Sequence, residues 1–262
     1  MLGLGKDKSE WRWAACGKHP LGKDYFRFDV GSPLQSAFAS WVDQGFSSLP
    51  EGPDIRRTIC FWRFWAKGAK KGQLACGLLK ASSDGIGRPY PLLIVGTGSL
   101  NGWEKHWELL PRVMENIWQN MEYIAARRFD HLHELEEAVR QMRAPGDIRP
   151  QGASRDFLDP HNSRLADITG SADGMAYDAG RLKSGQEVWI PLDDKAPVEA
   201  SRLPVIWGSY FKRHGVDAPR AFFIGGPPGK TFVAIFSRSL QPRDFVHFWA
   251  AGKKPGFNGP DG

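Results

Sequence analysis

The chain has 262 residues, 41% hydrophobic and 24% charged, an ordinary globular composition long enough for one large domain or two small ones. Its net charge is +6. The basic residues are scattered, densest at Lys67, Lys70 and Lys71 and again at Lys253 and Lys254, and are not interleaved with aromatics as in a nucleic-acid reader, so no nucleic acid is expected as a partner.

In chain order, WRWAACGKHP (11–20) is strand-like and ends at Pro20, and YFRFDV (25–30) alternates weakly. A helix start follows: Ser32 can cap, Pro33 suits the first helical position and Gln35 completes a capping box. Leu34, Ala37, Phe38 and Trp41 then share a face, and Gly45 is expected to end the helix. TICFWRFWA (58–66) and QLACGLLKA (73–81) predict a hairpin, and YPLLIVGT (90–97) a buried strand. From Trp103 the period changes to threes and fours through Trp107, Leu110, Met114, Ile117, Met121 and Ile124, predicting a helix over 103–126 packed on the sheet. A second helical pattern runs Phe129, Leu132, Leu135, Val139, Met142, with Glu136 and Arg140 placed to pair; the period does not decide whether the two helices break near Arg127.

Residues 144–164, rich in Pro, Gly, Asp and Ser, predict a loop or linker. Beyond it come a strand at 186–192, a helix from Leu203 stopped by Gly215, a hairpin of AFFI and TFVAIF across GGPPGK, and a closing helix with Phe245, Phe248 and Trp249 on one face. The resulting domain organisation is a core domain over 1–143, the loop or linker 144–164, a C-terminal α+β portion of the same domain over 165–252, and a disordered tail at 253–262. Hairpins followed by long helices point to an α+β fold, an antiparallel sheet flanked by amphipathic helices.

Several tempting motifs fail. GGPPGKT is one residue short of a phosphate loop and is followed by strand formers instead of a helix. GTGSLNG (96–102) has the wrong glycine spacing for a dinucleotide loop; a flexible connection with Ser or Asn capping the next helix is the better reading. The histidines lack ligand spacing, and neither HExxH nor Gly-x-Ser-x-Gly occurs. No catalytic residue, metal ligand or cofactor is therefore expected. The three cysteines, Cys16, Cys60 and Cys76, form no CxxC and fit free thiols in a reducing compartment, with Cys60 and Cys76 as small buried hydrophobes. The start, MLGLGKDKSE, lacks an apolar signal core, and no run reaches the ~18 residues of a membrane span, so a cytoplasmic protein without membrane insertion is expected.

The most distinctive residues lie in two early stretches. One is Gly17-Lys18-His19-Pro20-Leu21-Gly22-Lys23-Asp24-Tyr25-Phe26. The other is Ala81-Ser82-Ser83-Asp84-Gly85-Ile86-Gly87-Arg88-Pro89-Tyr90-Pro91-Leu92. With Trp41 in the first helix and Trp62-Arg63-Phe64 in a strand between them, they resemble the TagF (ImpM) family of type VI secretion system-associated proteins. His19 stands where that family has Leu, and Lys23 where it has Gly. The resemblance covers about the first 100 residues closely, the helices to about 143 loosely, and the rest faintly. It implies a cytoplasmic, non-enzymatic protein that restrains the secretion apparatus after translation through a forkhead-associated-domain scaffold protein. It marks Gly17, Lys18, Pro20, Asp24, Trp41, Trp62, Arg63, Ser83, Asp84, Gly87, Arg88 and Pro91 as family-motif and candidate partner-surface residues.

The residues carry their own physical reading. Asp84-Gly85 is turn chemistry, and Gly87 admits backbone conformations closed to other residues. Arg88 offers a rigid fork of donors suited to a carboxylate or phosphate. Either Arg88 pairs with Asp84 or backbone to lock the loop, or it reaches a partner; Lys18 and Asp24 carry the same two readings, with plain surface charge as the simpler one. The alternative function class is a hydrolase or nucleotide-binding protein using the 82–88 loop.

Overall fold

The structure, a computed structural model, describes residues 11–51, 53–148, 172–192 and 203–251. Most of the predicted linker and all of the predicted tail at 253–262 lie outside the described residues.

Alternation in the strands decides the architecture. Strand β3 (Phe61–Lys67) sends Trp62, Phe64 and Ala66 into one core and Trp65 into the other. Strand β4 (Gln73–Lys80) repeats this with Ala75 and Leu79 against Leu74, Cys76 and Leu78. Both faces of the strands are apolar, so both must be covered. The sheet accordingly lies between two helical layers.

Strand β1 (Arg12–Gly17), β2 (Phe26–Phe28), β5 (Leu92–Ser99), β6 (Glu187–Leu192), β7 (Ala221–Gly226) and β8 (Thr231–Phe236) complete an eight-stranded sheet in the order β2-β1-β5-β4-β3-β7-β8-β6. Every pairing in it is antiparallel. The join at the middle is β3 with β7, from Phe61 opposite Gly226 to Ala66 opposite Ala221. Residues after 220 thus continue the sheet begun by the first hundred.

One face is covered by α1 (Pro33–Ser47) and a C-terminal helix, the other by α3 (Leu110–Ala126), α4 (Leu132–Arg140) and their neighbours. Between α1 and β3 lies the short α2 (Pro53–Arg56). Helix α1 begins with the predicted capping box: Gln35 N donates to Ser32 Oγ at 3.2 Å, and Ser32 N to Gln35 Oε1 at 3.0 Å. It does not end at Gly45, however, but runs on to Ser47. Gly45 is a clearance: a Cβ there would lie 2.3 Å from Cβ of Phe245.

The expected 103–126 helix is two pieces. A 3-10 helix spans Trp103–Leu109, with His106 outside helical dihedrals, and α3 follows from Leu110. Trp107, Leu110, Met114 and Ile117 pack on the sheet as predicted. The cap is Gly102, with φ 73° and no side-chain bond, instead of Ser or Asn. The preceding Gly96 and Gly98 belong to β5. They give room to Trp13 and Trp11, whose ring atoms would lie 2.1 and 2.7 Å from an added Cβ. The chain breaks at Arg127, where ψ of 140° leaves the helix, before α4 begins. Glu136 and Arg140 pair at 2.5 Å, as their spacing predicts.

In the C-terminal half, α5 (Ala172–Lys183) and α6 (Leu203–Arg213) join the α3 side, and α7 (Pro242–Ala250) packs against α1. The two glycines of GGPPGK end β7, Pro227 to Lys230 make the hairpin turn to β8, and no helix follows it. Arg238 fastens this half, donating to both oxygens of buried Asp244 at 2.7 Å and to Glu187 at 2.8 Å. All three cysteines are buried and free, and burial pushes the Cys16 thiol up to about 11 and the Cys60 thiol up to about 12.

Candidate functional site

The two motif stretches meet. After β1 the chain turns through His19–Gly22 and lies against the 82–91 loop, where Gly85 N donates to Gly22 O at 2.8 Å and Lys18 N to Pro91 O at 3.3 Å. Gly17 makes the join possible. Its φ is +121°, and an added Cβ would fall 1.9 Å from Pro91 O, so a side chain has neither conformation nor space.

Asp84 is the hub. Its side chain is fully buried. Oδ1 accepts from the backbone N–H of Ile86 at 3.2 Å and of Arg88 at 2.9 Å. Oδ2 accepts from Arg88 Nε at 2.6 Å and from Lys18 Nζ at 3.0 Å. The backbone closes the same turn, with Asp84 N to Arg88 O at 3.2 Å and Gly87 N to Asp84 O at 2.9 Å. Gly87 sits at φ +80° to allow it. Burial works to raise the Asp84 carboxyl, but the Lys18 ammonium and the donors of Arg88 outweigh it and hold the group well below the usual carboxylate range.

Arg88 is half exposed, and its remaining contacts are to Lys23 O at 2.8 Å and to the exposed Asp24 at 3.6 Å. The loop is further held by Ser83 bridging Pro89, by Tyr90 N on Ser82 O at 3.0 Å, and by the Tyr90 hydroxyl donating to Asp43. Pro20 stands behind it, its carbonyl 2.9 Å from where a Gly85 Cβ would be.

The other motif residues do different work. Trp41 is buried among Phe38, Phe245 and Phe248, and its indole N–H donates to Gln241 O at 2.9 Å. Trp62 is buried edge-on to Phe248. Both expectations of a partner-facing tryptophan are therefore corrected: each faces the α1/α7 core. Arg63 turns to the opposite face and clamps α3. It takes Glu122 in two bonds of 2.6 and 2.8 Å and Glu115 at 3.1 Å, above the Trp118 ring. Arg63→Ala would leave two carboxylates facing a strand without a cation. It is expected to cost on the order of 1–3 kcal/mol, discounted for their partial exposure. Arg63→Lys should recover only part of this, since an ammonium cannot make the two-point contact. Calorimetric melting of the three proteins checks the order.

Beside the loop runs a groove of about 1100 Å³. Its walls are segment 19–21, stretch 56–59, the outer side of the loop and the end of α3. Arg56, Arg57, Lys80, Arg127 and Arg128 line it, against a single carboxylate, Asp130. Ile59 and Ile86, exposed 71% and 74%, are part of the same lining. Burial, then the charge of Lys80, lowers the pKa of His19, and its Nδ1 accepts from Leu21 N at 3.3 Å. Sequence reasoning missed these cations because they come from distant segments. The signal available was two Arg-Arg pairs, at 56–57 and 127–128, each at a helix end.

A pinned motif loop standing over an open groove, on an antiparallel sheet between two helical layers, defines the class: an α+β protein whose distinctive feature is a surface. The chain belongs to the family of the TagF N-terminal domain, type VI secretion system-associated, whose profile matches residues 14–144. No curated protein matches the chain. A solved structure with a similar fold is that of PA0076 from Pseudomonas aeruginosa PAO1, at 18% identity and a TM-score of 0.53, over 94% of this chain and 99% of that one. No helix among the described residues is long and apolar enough to cross a membrane.

Proposed function

We propose that the protein is a cytoplasmic, non-enzymatic regulator of bacterial type VI secretion, a post-translational repressor that acts by contact with the forkhead-associated-domain scaffold of the apparatus. One observation carries the contact reading: two isoleucines exposed by 71% and 74% line one groove beside the family's motif loop. Paired exposed apolar side chains of this size are what a partner covers. The loop itself supports contact over catalysis. Asp84 is buried and spends its oxygens on Lys18, Arg88 and backbone, so it offers no open face to a substrate.

Affinity capture from a bacterium carrying the secretion cluster tests this, with the scaffold followed by immunoblot. Ile59→Asp/Ile86→Asp is expected to reduce scaffold capture tenfold or more. Its melting temperature should stay within about 2 °C of wild type, as for exposed positions generally. Undiminished capture by the double variant would sink the reading.

A further inference from the structure

We propose that the groove between the motif loop and the end of α3 binds an acidic polypeptide segment. This names the chemistry of the contact, and so rests on the reading of the protein as one that acts through a partner. Several arginines elsewhere meet acids: Arg63 with Glu115 and Glu122, Arg140 with Asp29 and Glu136, Arg238 with Glu187 and Asp244. The five groove cations are instead gathered in one concavity, and none forms an ion pair with a described carboxylate. Like charges gathered in one concavity repel one another and focus a positive field, and an anionic ligand relieves the first and is drawn by the second.

Three of the five are already held in place. Lys80 Nζ donates to Ala125 O at 3.1 Å, Arg56 to Leu49 O at 3.5 Å, and the Arg127 guanidinium lies 4.8 Å above the Phe129 ring. Anchored cations lose little freedom on binding. Arg57 and Arg128 are exposed and make no hydrogen bond with a described residue, which leaves their full donor sets for a ligand. A concave site with Ile59 and Ile86 in its lining fits a chain carrying acidic and apolar side chains better than a flat membrane surface. Nucleic acid lacks its stacking platform there: Phe129, the aromatic residue of the lining, is buried and its face is taken by Arg127.

A fluorescent oligoglutamate peptide serves as the probe, titrated by anisotropy at low and physiological salt. The wild-type protein is expected to bind it with an affinity that falls as salt rises. Arg57→Glu/Arg128→Glu should weaken binding tenfold or more with an unchanged melting temperature, while Lys70→Glu/Lys71→Glu, in the β3–β4 turn outside the groove, should leave it intact. Absence of binding by wild type, or equal loss in both variants, would overturn the proposal. Retention on phosphatidylserine vesicles, lost in the groove variant but without peptide binding, would overturn it in favour of a lipid surface. Scaffold capture is scored separately: peptide binding lost and scaffold capture kept by the groove variant would uphold the groove chemistry while removing the scaffold as its source.

Discussion

Replacing Asp84 with alanine is expected to lower the melting temperature by on the order of 10 °C, while replacing Arg88 lowers it by about 2–4 °C. The two residues are partners, but they are not equal. Arg88 is half exposed, and without it the carboxylate keeps Lys18 and two backbone donors. Without Asp84, a Lys18 ammonium with 12% exposure and the partly buried N–H bonds of Ile86 and Arg88 lose their acceptor together. An unmatched buried group costs far more than a lost surface pair. The effect has a pH signature. The folded-state carboxyl lies well below its ordinary 3.8, so its contribution is complete above about pH 4 and is lost as pH falls through the folded-state value. Asp84→Asn should therefore be less stable at pH 7 and lose part of the wild-type acid sensitivity below pH 4. Thermal melts across that range decide it, and an asparagine variant as stable as wild type at pH 7 would remove Asp84 from its central place.

Gly17→Ala is expected to be as severe or worse, at roughly 4 kcal/mol or more, with a reduced soluble yield. Two costs combine. A side chain at φ +121° is strained by roughly 1–3 kcal/mol, and its Cβ would overlap Pro91 O at 1.9 Å. Pro91 is backbone, so it yields only if β1 and the loop move apart. Gly72→Ala separates the two: φ there is +76° but nothing lies within 4 Å, so it should show strain alone, near 1 kcal/mol. Chemical denaturation of both variants gives the comparison, and equal midpoints would mean that the close approach is relaxed at no cost.

The local parts of the fold were legible because local chemistry decides them. Ser32-Pro33 with Gln35 is a helix start wherever it sits, and the three-and-four spacing from Trp107 to Ile117 needs an apolar surface to lie on. Gly45, Gly96 and Gly98 misled for the opposite reason. Each resembles a terminator or a hinge, yet each is small because an aromatic ring from another element, Phe245, Trp13 or Trp11, occupies the space. Asp84 and Arg88 were readable as a loop lock from four-residue spacing, but Lys18 as their third member was not, since 66 residues separate it from Asp84. The groove was the least legible part. Scattered charge stays scattered on a sequence, and only the packing of helix ends beside a strand brings the two Arg-Arg pairs and Lys80 to one place.

The β3–β7 seam has a consequence for how the molecule is made. A ribosome delivers β1 to β5 and both α3 and α4 long before residue 221, so the nascent first half waits with the hydrogen-bonding edge of β3 unpaired and Trp41 lacking Phe245 and Phe248. Open strand edges of this kind recruit whatever strand comes first, including one from a neighbouring chain. Delivery of β7, instead of the emergence of the first hundred residues, is then the step that commits this sheet to its native form. A fragment cut at the limit of the family match would carry that waiting edge permanently.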